Sequence, residues 1–435
     1  MRKVLGEQDL LHHFTNLFGS YQSVSALGLD QKISDKSACI AVVGVGYVGL
    51  PLAVAFAQVG YPTVGIDLDT RKVDHINQGR SYIPDVPSPV VKQLVAAGTL
   101  RASDRYDDVT RADVIFICVP TPFDQMKAPD LGAIESASKG IAKHLQREQL
   151  IILQSTTYPG TTEEFVLPIL EQSGLSAGKD FYLAFSPERI DPGNQEWSAR
   201  NMPKVLGGVT PRSTELARKL LVMLTADVHV VSSPRAAEMT KLLENIFRSV
   251  NIALVNELAL LCERMDIDMW EVIDAAKTKP FGFMPFYPGA GVGGHCIPVD
   301  PYYLSWKARE FDFYTKFIEL AADINQSMPF HVVELVQRAL NRSGKSVTDA
   351  QVLVLGVAFK RDIDDARNSP AERVIELLLK AGARVDYYDP YVPVFHVGNN
   401  VFQPEPVALE STGLDATTLS SADAVVIVTA HRNVD

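Results

Sequence analysis

The sequence has few cysteines, and their positions exclude most cysteine-based sites. Its 435 residues contain four, Cys39, Cys118, Cys262 and Cys296, which lie far apart and match no metal-site spacing. Cys39 and Cys118 lie inside apolar runs typical of strands, and Cys262 lies in a helical run. We expect these three to be buried as small hydrophobic side chains and predict no metal site. Cys296 differs, because it follows a glycine-rich segment.

Long apolar runs and an excess of positive charge are also missing. No stretch approaches roughly 18 uninterrupted apolar residues, so no transmembrane helix is predicted. The N-terminal region contains Glu7, Asp9, His12 and His13, which interrupt any signal-peptide core, and we expect a cytoplasmic protein. The formal net charge of −11 argues against a nucleic acid or a membrane surface as the main partner. This net charge does not exclude a local basic pocket for a phosphorylated ligand.

What the chain does contain is a repeated alternation of short apolar and longer helical runs. It begins at residue 38 and restarts near residue 350, and such alternation is typical of parallel sheets covered on both faces. The run 422–431 weakly echoes 112–121, which suggests that the two ends share one architecture. Residues 235–265 contain neither proline nor glycine and predict one long helix that bridges domains or forms a dimer surface.

We therefore predict an α/β fold in which two doubly wound Rossmann-like domains are joined by a central helical region with one long helix. The length suggests two or three domains at roughly 150 residues each. The predicted segments are an N-terminal extension, a first Rossmann domain, a central helical region with the Cys296 loop and a second Rossmann-like domain: 1–37, 38–232, 233–330 and 331–435.

The segment "GVGYVG" at 44–49 predicts a dinucleotide site. It follows a strand-like run, opens a helical run and precedes Asp67, which lies 23 residues after Gly44 at the end of the next strand. An acidic residue there accepts hydrogen bonds from ribose and repels a 2′-phosphate, which favours NAD over NADP. A flavin, or a tight turn without any cofactor, is the alternative. The predicted cofactor-binding residues are Gly44, Val45, Gly46, Tyr47, Val48, Gly49 and Asp67.

Two further patterns are open to two interpretations. Lys241, Asn245 and Arg248 share one face of the long helix, which is either solvated or turned to a cleft where it holds an oxyanion or a sugar hydroxyl. The segment "PGAGVGGHCIPVDP" at 288–301 surrounds Cys296 with glycine. Cys296 is then either a small filler in a tight loop, or a thiol against which the glycines let a large ligand lie.

Several motifs together resemble the UDP-glucose/GDP-mannose dehydrogenase family from residue 38 to about 431. Besides the glycine fingerprint they are "VPTP" (119–122), "STTYPGTT" (155–162), "SPER" (186–189), "KLLEN" (241–245), "GVGGHCIPVDP" (291–301) and "GVAFKRDIDDARNSP" (356–370). The form "KPFGF" with "FYPG" (279–289) and "HC" is similar to the branch that oxidises UDP-N-acetylhexosamines, UDP-N-acetylglucosamine above all.

The resemblance implies a four-electron oxidation of a C6 primary alcohol to a carboxylate, with NAD as acceptor. It implies that Cys296 traps the intermediate aldehyde as a thiohemiacetal, which is oxidised to a thioester that water cleaves. It also implies a homodimer or larger assembly built on the long helix. UDP-N-acetylmannosamine or UDP-glucose as substrate stays an alternative, as does a protein that binds NAD or a nucleotide-sugar without turnover.

Residue roles follow from the resemblance position by position. Lys241 and Asn245 match the oxyanion and substrate-orienting pair, Asp300 matches an acid that activates water or the thiolate, and Thr121 and Glu188 match residues that position water. Further cofactor contacts are expected at Lys72, Thr121, Thr156 and Arg367, and substrate contacts at Glu188, Arg189, Lys241, Asn245, Arg248, Tyr287, Gly289, Gly291, Gly294, Phe359 and Lys360.

Two departures from the family pattern stand out. Pro192 occupies a position where many relatives carry a second acid, and the form "PERIDPG" (187–193) is similar to the N-acetylhexosamine branch. The chain ends at Asp435, shortly after the last strand-like run, so we expect the final domain to be truncated or incomplete.

Overall fold

The computed structural model describes residues 28–124, 128–189, 196–295, 297–400 and 403–434. The chain divides into two compact units, with the boundary between Lys241 and Leu242. Most of the predicted N-terminal extension, together with Cys296 and Pro192, lies outside the described residues. The predicted separation of a central region from a C-terminal domain stays a prediction.

The first unit is built on one eight-stranded sheet in the order β3-β2-β1-β4-β5-β6-β7-β8. Its strands are β1 (Ile40–Val43), β2 (Thr63–Ile66), β3 (Leu100–Ser103), β4 (Val114–Ile117), β5 (Leu150–Leu153), β6 (Tyr182–Phe185), β7 (Lys204–Gly208) and β8 (Val228–Val230). Its helices are α1 (Leu29–Ser34), α2 (Gly49–Val59), α3 (Thr70–Asn77), α4 (Ser88–Ala96), α5 (Gly132–Ala142), α6 (Leu167–Glu171) and α7 (Pro211–Leu221), with a π-helical turn at Thr161–Val166 and a 3₁₀ turn at Tyr106–Arg111.

Both faces of this sheet are covered, as the apolar runs predict. Successive residues of a strand point to opposite faces. Ile40 and Val42 of β1 therefore enter one buried apolar cluster, whereas Ala41 and Val43 enter the other. The strand order through β6 is that of a doubly wound dinucleotide-binding fold, which confirms the predicted fold class.

The sheet also contains one antiparallel pair, which the sequence analysis does not predict. Strands β1 to β6 are parallel, but β7 pairs antiparallel with β6 through Ala184–Gly208 and Phe185–Gly207. A parallel return requires a crossover, usually a helix. The described residues between β6 and β7 contain no helix, so the chain comes back in the opposite direction. Helix α7 then provides a crossover, and β8 pairs parallel with β7.

The predicted long helix is present as α8 (Pro234–Arg264), which begins at a proline and has no glycine or proline in its interior. By length and composition alone, α8 is the one helix in the described part of the chain that could cross a membrane. Core helices of soluble proteins pass the same test. Glu238, Lys241 and Asn245 are buried in α8, and a bilayer interior disfavours such side chains.

The second unit contains further helices and a smaller parallel sheet in the order β10-β9-β13. The strands are β9 (Gln351–Leu355), β10 (Arg384–Tyr388) and β13 (Ala424–Ile427), with an antiparallel pair of β11 (Val394–Val397) and β12 (Val407–Glu410). The helices are α9 (Met269–Ala276), α10 (Asp300–Ala308), α11 (Lys316–Arg342), α12 (Pro370–Lys380) and α13 (Ala416–Ser421), with a 3₁₀ turn at Arg309–Phe311.

The echo between 112–121 and 422–431 has a structural counterpart. Strand β13 pairs with β9 as β4 pairs with β1. Just before these strands, Asp113 accepts a hydrogen bond from the Cys39 amide and Asp423 accepts one from the Gln351 amide, each at 2.8 Å. Each unit therefore has an equivalent hydrogen bond at this point, as well as an equivalent strand order.

Candidate active site

The glycine loop after β1 has the geometry that a dinucleotide requires. Gly44 has φ +89°, and a Cβ there would lie 2.7 Å from the Cys118 carbonyl oxygen. A Cβ on Gly49, the first residue of α2, would lie 1.8 Å from the Gly44 carbonyl oxygen. A Cβ on Gly46 would meet nothing within 4 Å, so the backbone there is open to a ligand. The turn needs Gly44 and Gly49 for its own packing, and Gly46 leaves the space that a pyrophosphate needs.

Asp67, which follows β2, is tied to this loop. Its carboxylate accepts hydrogen bonds from the Val45 amide, the Asp69 amide and Lys72 Nζ, each at 3.0 Å. A carboxylate has about four lone-pair positions, so one acceptor position is left for a ribose hydroxyl. Lys72, predicted beside the adenosine, here forms an ion pair with Asp67.

The corresponding carboxylate of the second unit is fully used. Asp389 is 3% exposed and accepts hydrogen bonds from four backbone amides, those of Val357, Ala358, Tyr391 and Val392. His431 Nε2 lies 3.0 Å from Asp389 Oδ2, and His431 Nδ1 accepts from the Asp362 amide, so Nε2 is the donor. No acceptor position is left for a ribose at Asp389. The residues that fit NAD are therefore those of the first unit.

The predicted residues Thr121 and Thr156 lie in the loops that follow β4 and β5. Thr121 is 5% exposed and Thr156 is half-buried. The Ser155 hydroxyl donates a hydrogen bond of 2.7 Å to the Val119 carbonyl, which joins the two loops. Both therefore lie at the carboxyl ends of the strands, where doubly wound sheets bind ligands.

Glu188 lies after β6 in a buried polar cluster. Lys204 Nζ lies 2.9 Å from its Oε2 and 3.1 Å from its Oε1. The Gln154 amide donates to Oε2 at 2.7 Å, and the Arg189 backbone amide donates to Oε1 at 2.8 Å. The Arg189 guanidinium, a predicted substrate contact, donates to the Pro203 carbonyl at 2.9 Å. Glu188 is thus held as an oriented carboxylate.

Helix α8 carries a stripe of buried polar side chains. Lys241 is 8% exposed and Asn245 is 4% exposed, which agrees with a face that is not solvated. Arg248 is only half-buried, and the buried stripe continues instead through its neighbour Ser249. Lys241 has no hydrogen bond or ion pair to another residue in the part of the chain that the structure describes. A buried, unpaired ammonium group is suited to bind an anion.

Two of the predicted catalytic residues meet directly in the second unit. The Asn245 amide donates a hydrogen bond to Asp300 Oδ2. Asp300 is the first residue of α10 and is 3% exposed. The pair fixes the orientation of both side chains.

The glycine loop before Cys296 packs closely against its own unit. The Gly289 amide donates to Asn256 Oδ1 at 2.9 Å, and a Cβ on Gly291 would lie 2.9 Å from the Asn325 carbonyl oxygen. The Gly294 amide donates to the Arg367 carbonyl at 3.2 Å, and a Cβ on Gly294 would lie 2.8 Å from the Phe359 ring. Gly291 and Gly294 are therefore required by the fold of the loop. In contrast, a Cβ on Gly289 would have open space, and Tyr287 is 45% exposed.

Cys296 itself lies outside the described residues, but its neighbour His295 is described. Burial, and then the nearby Arg367 cation, lower the pKa of His295, so its imidazole is neutral at neutral pH. Arg367 forms a two-point pair with Asp365, Nε to Oδ1 at 2.9 Å and Nη2 to Oδ2 at 2.6 Å. Lys360, from the same segment, is half-buried. No group of three or more histidine, cysteine or acidic side chains within the described ranges could hold a metal ion.

The sequence analysis missed four buried polar residues that support the predicted ones. Lys204 and Gln154 hold Glu188, and Asn256 and Asn325 support the glycine loop. Of these four, Lys204 is the residue that the sequence could have indicated, because a lysine at the start of the apolar run "KVLGG" is unusual for a strand buried on both faces. The asparagines follow no motif.

Comparison with known proteins gives consistent similarities. Three domains of the UDP-glucose/GDP-mannose dehydrogenase family match: the NAD-binding domain at 38–225, the central domain at 235–327 and the UDP-binding domain at 353–435. A UDP-N-acetyl-D-glucosamine 6-dehydrogenase of Pseudomonas aeruginosa is 40% identical over 81% of this chain and 83% of its own length. A UDP-N-acetyl-D-mannosamine dehydrogenase of Pyrococcus horikoshii is 38% identical over 90% and 89%.

Solved structures are similar as well. The UDP-D-ManNAc dehydrogenase structure from Pyrococcus horikoshii has a TM-score of 0.82 at 36% identity and covers 91% of this chain and 90% of that one. A UDP-glucose dehydrogenase from Pyrobaculum islandicum has a TM-score of 0.81 at 27% identity, with 91% of both chains covered.

Proposed function

The chain belongs to the UDP-glucose/GDP-mannose dehydrogenase family and is an NAD-dependent oxidoreductase of nucleotide-sugars; from this we propose that it oxidises the C6 hydroxymethyl group of UDP-N-acetylglucosamine to a carboxylate. The observation that carries the proposal is that α8 bears both a buried Lys241, which has no partner among the described residues, and Asn245, which is paired with the buried Asp300. The same chain has a cysteine after a closely packed glycine loop. A protein that only binds nucleotide-sugars has no need of this set.

The NAD cofactor is assigned to the glycine loop of the first unit. Gly46 gives the pyrophosphate access to backbone amides, the start of α2 provides unpaired N–H groups, and Asp67 offers an acceptor to the ribose. When bound, NAD accepts hydride from the substrate C6 carbon. Thr121 and Thr156 are proposed to contact it from the neighbouring loops, together with Lys72 and Arg367.

The chain's own residues divide the remaining chemistry. The Cys296 thiolate adds to the C6 aldehyde and forms a C–S bond, which keeps the aldehyde from escaping between the two oxidations. Lys241 and Asn245 stabilise the oxyanion that forms at C6. After the second oxidation, water attacks the thioester, the C–S bond breaks and Cys296 is released. Glu188 and Thr121 position this water, and Asp300 takes up a proton.

The UDP-sugar is proposed to contact the residues around the glycine loop. Gly289 and Tyr287 are accessible, and Gly291 and Gly294 shape the loop. Phe359 packs against this loop, and Lys360 follows Phe359 in the chain. Both lie near the start of the matched UDP-binding domain. Arg189 and Arg248 complete the proposed set of contacts.

The test is an NADH-release assay of the purified protein with NAD and a panel of UDP-GlcNAc, UDP-ManNAc, UDP-GalNAc and UDP-glucose, with mass analysis of the products. We expect a uronic acid and two NADH per UDP-GlcNAc consumed. One NADH per sugar would contradict the four-electron reaction. Binding of NAD without turnover of any sugar would overturn the proposal in favour of a non-catalytic protein.

UDP-N-acetylmannosamine is the second candidate substrate. It is favoured by the similarity to the Pyrococcus horikoshii protein, whose structure has a TM-score of 0.82. The two sugars differ only in configuration at C2. A higher kcat/KM for UDP-ManNAc than for UDP-GlcNAc in the same assay would select this candidate.

We also propose that the protein is a cytoplasmic homodimer or larger assembly built on α8. Five apolar side chains, spaced three, four or seven residues apart, are at least 38% exposed along α8, which gives one exposed apolar stripe: Leu243, Phe247, Leu254, Leu258 and Leu261. Light scattering should show a dimer or more for the wild type and a monomer for a Leu254→Lys/Leu261→Lys variant. A monomeric wild type would contradict the assembly.

A further inference from the structure

A buried lysine lies against the carboxylate of Glu188 in the first unit. Lys204 is 1% exposed and Glu188 is 8% exposed, so water screens the charges of this pair very little. The ammonium group lies 2.9 Å and 3.1 Å from the two carboxylate oxygens, and it therefore contacts both. The negative charge of Glu188 is balanced within the protein.

The other donors fix the orientation of the carboxylate. Gln154 Nε2 donates to Oε2 and the Arg189 amide donates to Oε1, so each oxygen accepts two contacts. Protonation of Glu188 would remove the charge that attracts the Lys204 ammonium group.

Stability alone does not account for Lys204. It begins β7, and the next residues, Val205 and Leu206, belong to the two apolar clusters that cover the sheet. Replacing a buried ion pair with well-packed apolar residues is often neutral or stabilising. A buried lysine at this position therefore points to a role of the charge at Glu188.

We propose that Lys204 is a positioning residue that holds Glu188 as a permanently ionised hydrogen-bond acceptor, so that Glu188 orients the attacking water without taking its proton. This inference rests on the proposed function. In thioester hydrolysis the water oxygen bonds to C6 and the bond to Cys296 Sγ breaks. One proton goes to the released thiolate and the other passes to solvent through Asp300, the remaining carboxylate of the predicted catalytic set.

Cys118 and Arg189 are neighbours of Glu188 with other roles. Burial raises the pKa of the Cys118 thiol far above its ordinary value, and the negative charge of Glu188 raises it further, so Cys118 is neutral. Arg189 directs its guanidinium to the Pro203 carbonyl. Lys204 forms an ion pair with the Glu188 carboxylate at 2.9 Å.

The first experiment compares the rate of acid formation as a function of pH in the wild type, Lys204→Met and Lys204→Arg. Without a counter-charge, the buried Glu188 takes a proton and becomes ionised only at higher pH. The acid limb of the profile should therefore move up by at least about one pH unit in Lys204→Met. It should stay near the wild-type position in Lys204→Arg. An unchanged acid limb in Lys204→Met would overturn the proposal.

The second variant, Glu188→Gln, tests the proton step and leaves Lys204 in place. The glutamine keeps one acceptor oxygen, so an orienting role predicts a loss in hydrolysis rate of about tenfold, below the loss of 10² to 10⁴ that general-base catalysis contributes. A loss above about a thousandfold would show that Glu188 does take the proton, and would refute the proposal even if Lys204→Met fails to fold.

A third readout does not depend on activity. In Lys204→Met the pKa of the buried Glu188 lies above its unfolded value, so the native state binds more protons and stability falls as pH rises from about 4.3. Apparent Tm from pH 5 to 8 should therefore fall more steeply in Lys204→Met than in Lys204→Met/Glu188→Gln. Parallel curves would contradict the charge relation. A wild type that oxidises no UDP-sugar would overturn the proposed function but leave this comparison valid.

Discussion

Replacing Asn256 with leucine tests whether the glycine loop before Cys296 is held by buried amides. Asn256 is fully buried on α8, accepts from the Gly289 amide at 2.9 Å and donates to Asn325 Oδ1 at 2.9 Å. Asn325 in turn donates to the Ser249 carbonyl at 3.2 Å, so the amide pair connects α8, α11 and the loop. Leucine removes both hydrogen bonds of Asn256 at similar side-chain size.

The expected magnitude follows from the buried group that is left without a partner. A buried donor or acceptor that loses its partner costs about 1–3 kcal/mol, so the loss at the buried Asn325 Oδ1 costs about 2 kcal/mol. The Gly289 amide belongs to an exposed residue and can bind water instead. At a Tm shift of about 2–4 °C per kcal/mol for a domain of this size, the apparent Tm should fall by about 4–8 °C. Release of the loop should also raise KM for the UDP-sugar about tenfold, which corresponds to about 1.4 kcal/mol, and lower kcat less.

The assay is differential scanning fluorimetry together with steady-state kinetics under saturating NAD. Asn251→Leu is the matched control, because Asn251 is on the same helix and its side chain donates only to the Phe247 carbonyl one turn earlier. The control should change stability by no more than about 0.5 kcal/mol and leave KM unchanged. If Asn256→Leu matches Asn251→Leu in both Tm and KM, the loop is not positioned by this amide pair.

Three further predictions concern the cofactor loop and the Cys296 segment. Cys296→Ser should abolish formation of acid with two NADH, as checked by mass analysis, whereas Cys118→Ser should retain it; acid production by Cys296→Ser would exclude the proposed nucleophile. Gly46→Ala should leave Tm within about 1 °C of the wild type but weaken NAD binding at least about tenfold by calorimetry, since the added Cβ meets only the ligand's space. Gly28→Ala, equally open, is its control. The pKa of His295 is lowered in the folded state, so the unfolded state binds more protons near pH 6.5 and the free energy of unfolding falls as pH decreases through about that value. His295→Gln should reduce this fall, as measured by urea titrations at several pH values. An unchanged pH dependence would contradict the prediction.

The sequence carries the parts of this structure that depend on local pattern. The turn at Gly44, the fit of Gly49 and the position of Asp67 follow from a motif in which each residue has a steric reason. The extent of α8 follows from the absence of glycine and proline between Pro234 and Arg264. Such features involve neighbours along the chain, so spacing alone is sufficient to predict them.

Sequence spacing does not predict which residues or strands distant in the chain contact each other. The direction of β7 depends on how the preceding connection returns to the sheet, and the partner of Lys204 lies 16 residues away in the chain. Asn256 and Asn325 are 69 residues apart and meet only because α8 and α11 pack together. Spacing also does not show which glycines of the loop are required by its own packing. Gly291 and Gly294 are required by contacts with Asn325 and Phe359 of the same unit.

Helix α8 shows why a polar stripe on a long helix can be assigned to chemistry only after its partners are known. On its buried face, Glu238 accepts hydrogen bonds from the Gly160 and Thr162 amides and from the Thr162 hydroxyl, and Asn256 holds the Gly289 amide. Both residues are satisfied by the fold. Between them, Asn245 orients a carboxylate, and Lys241 has no recorded partner among the described residues. A buried cation without a counter-charge is costly unless an anion binds it. Among the described residues of this stripe, Lys241 is therefore the one whose presence most requires a substrate.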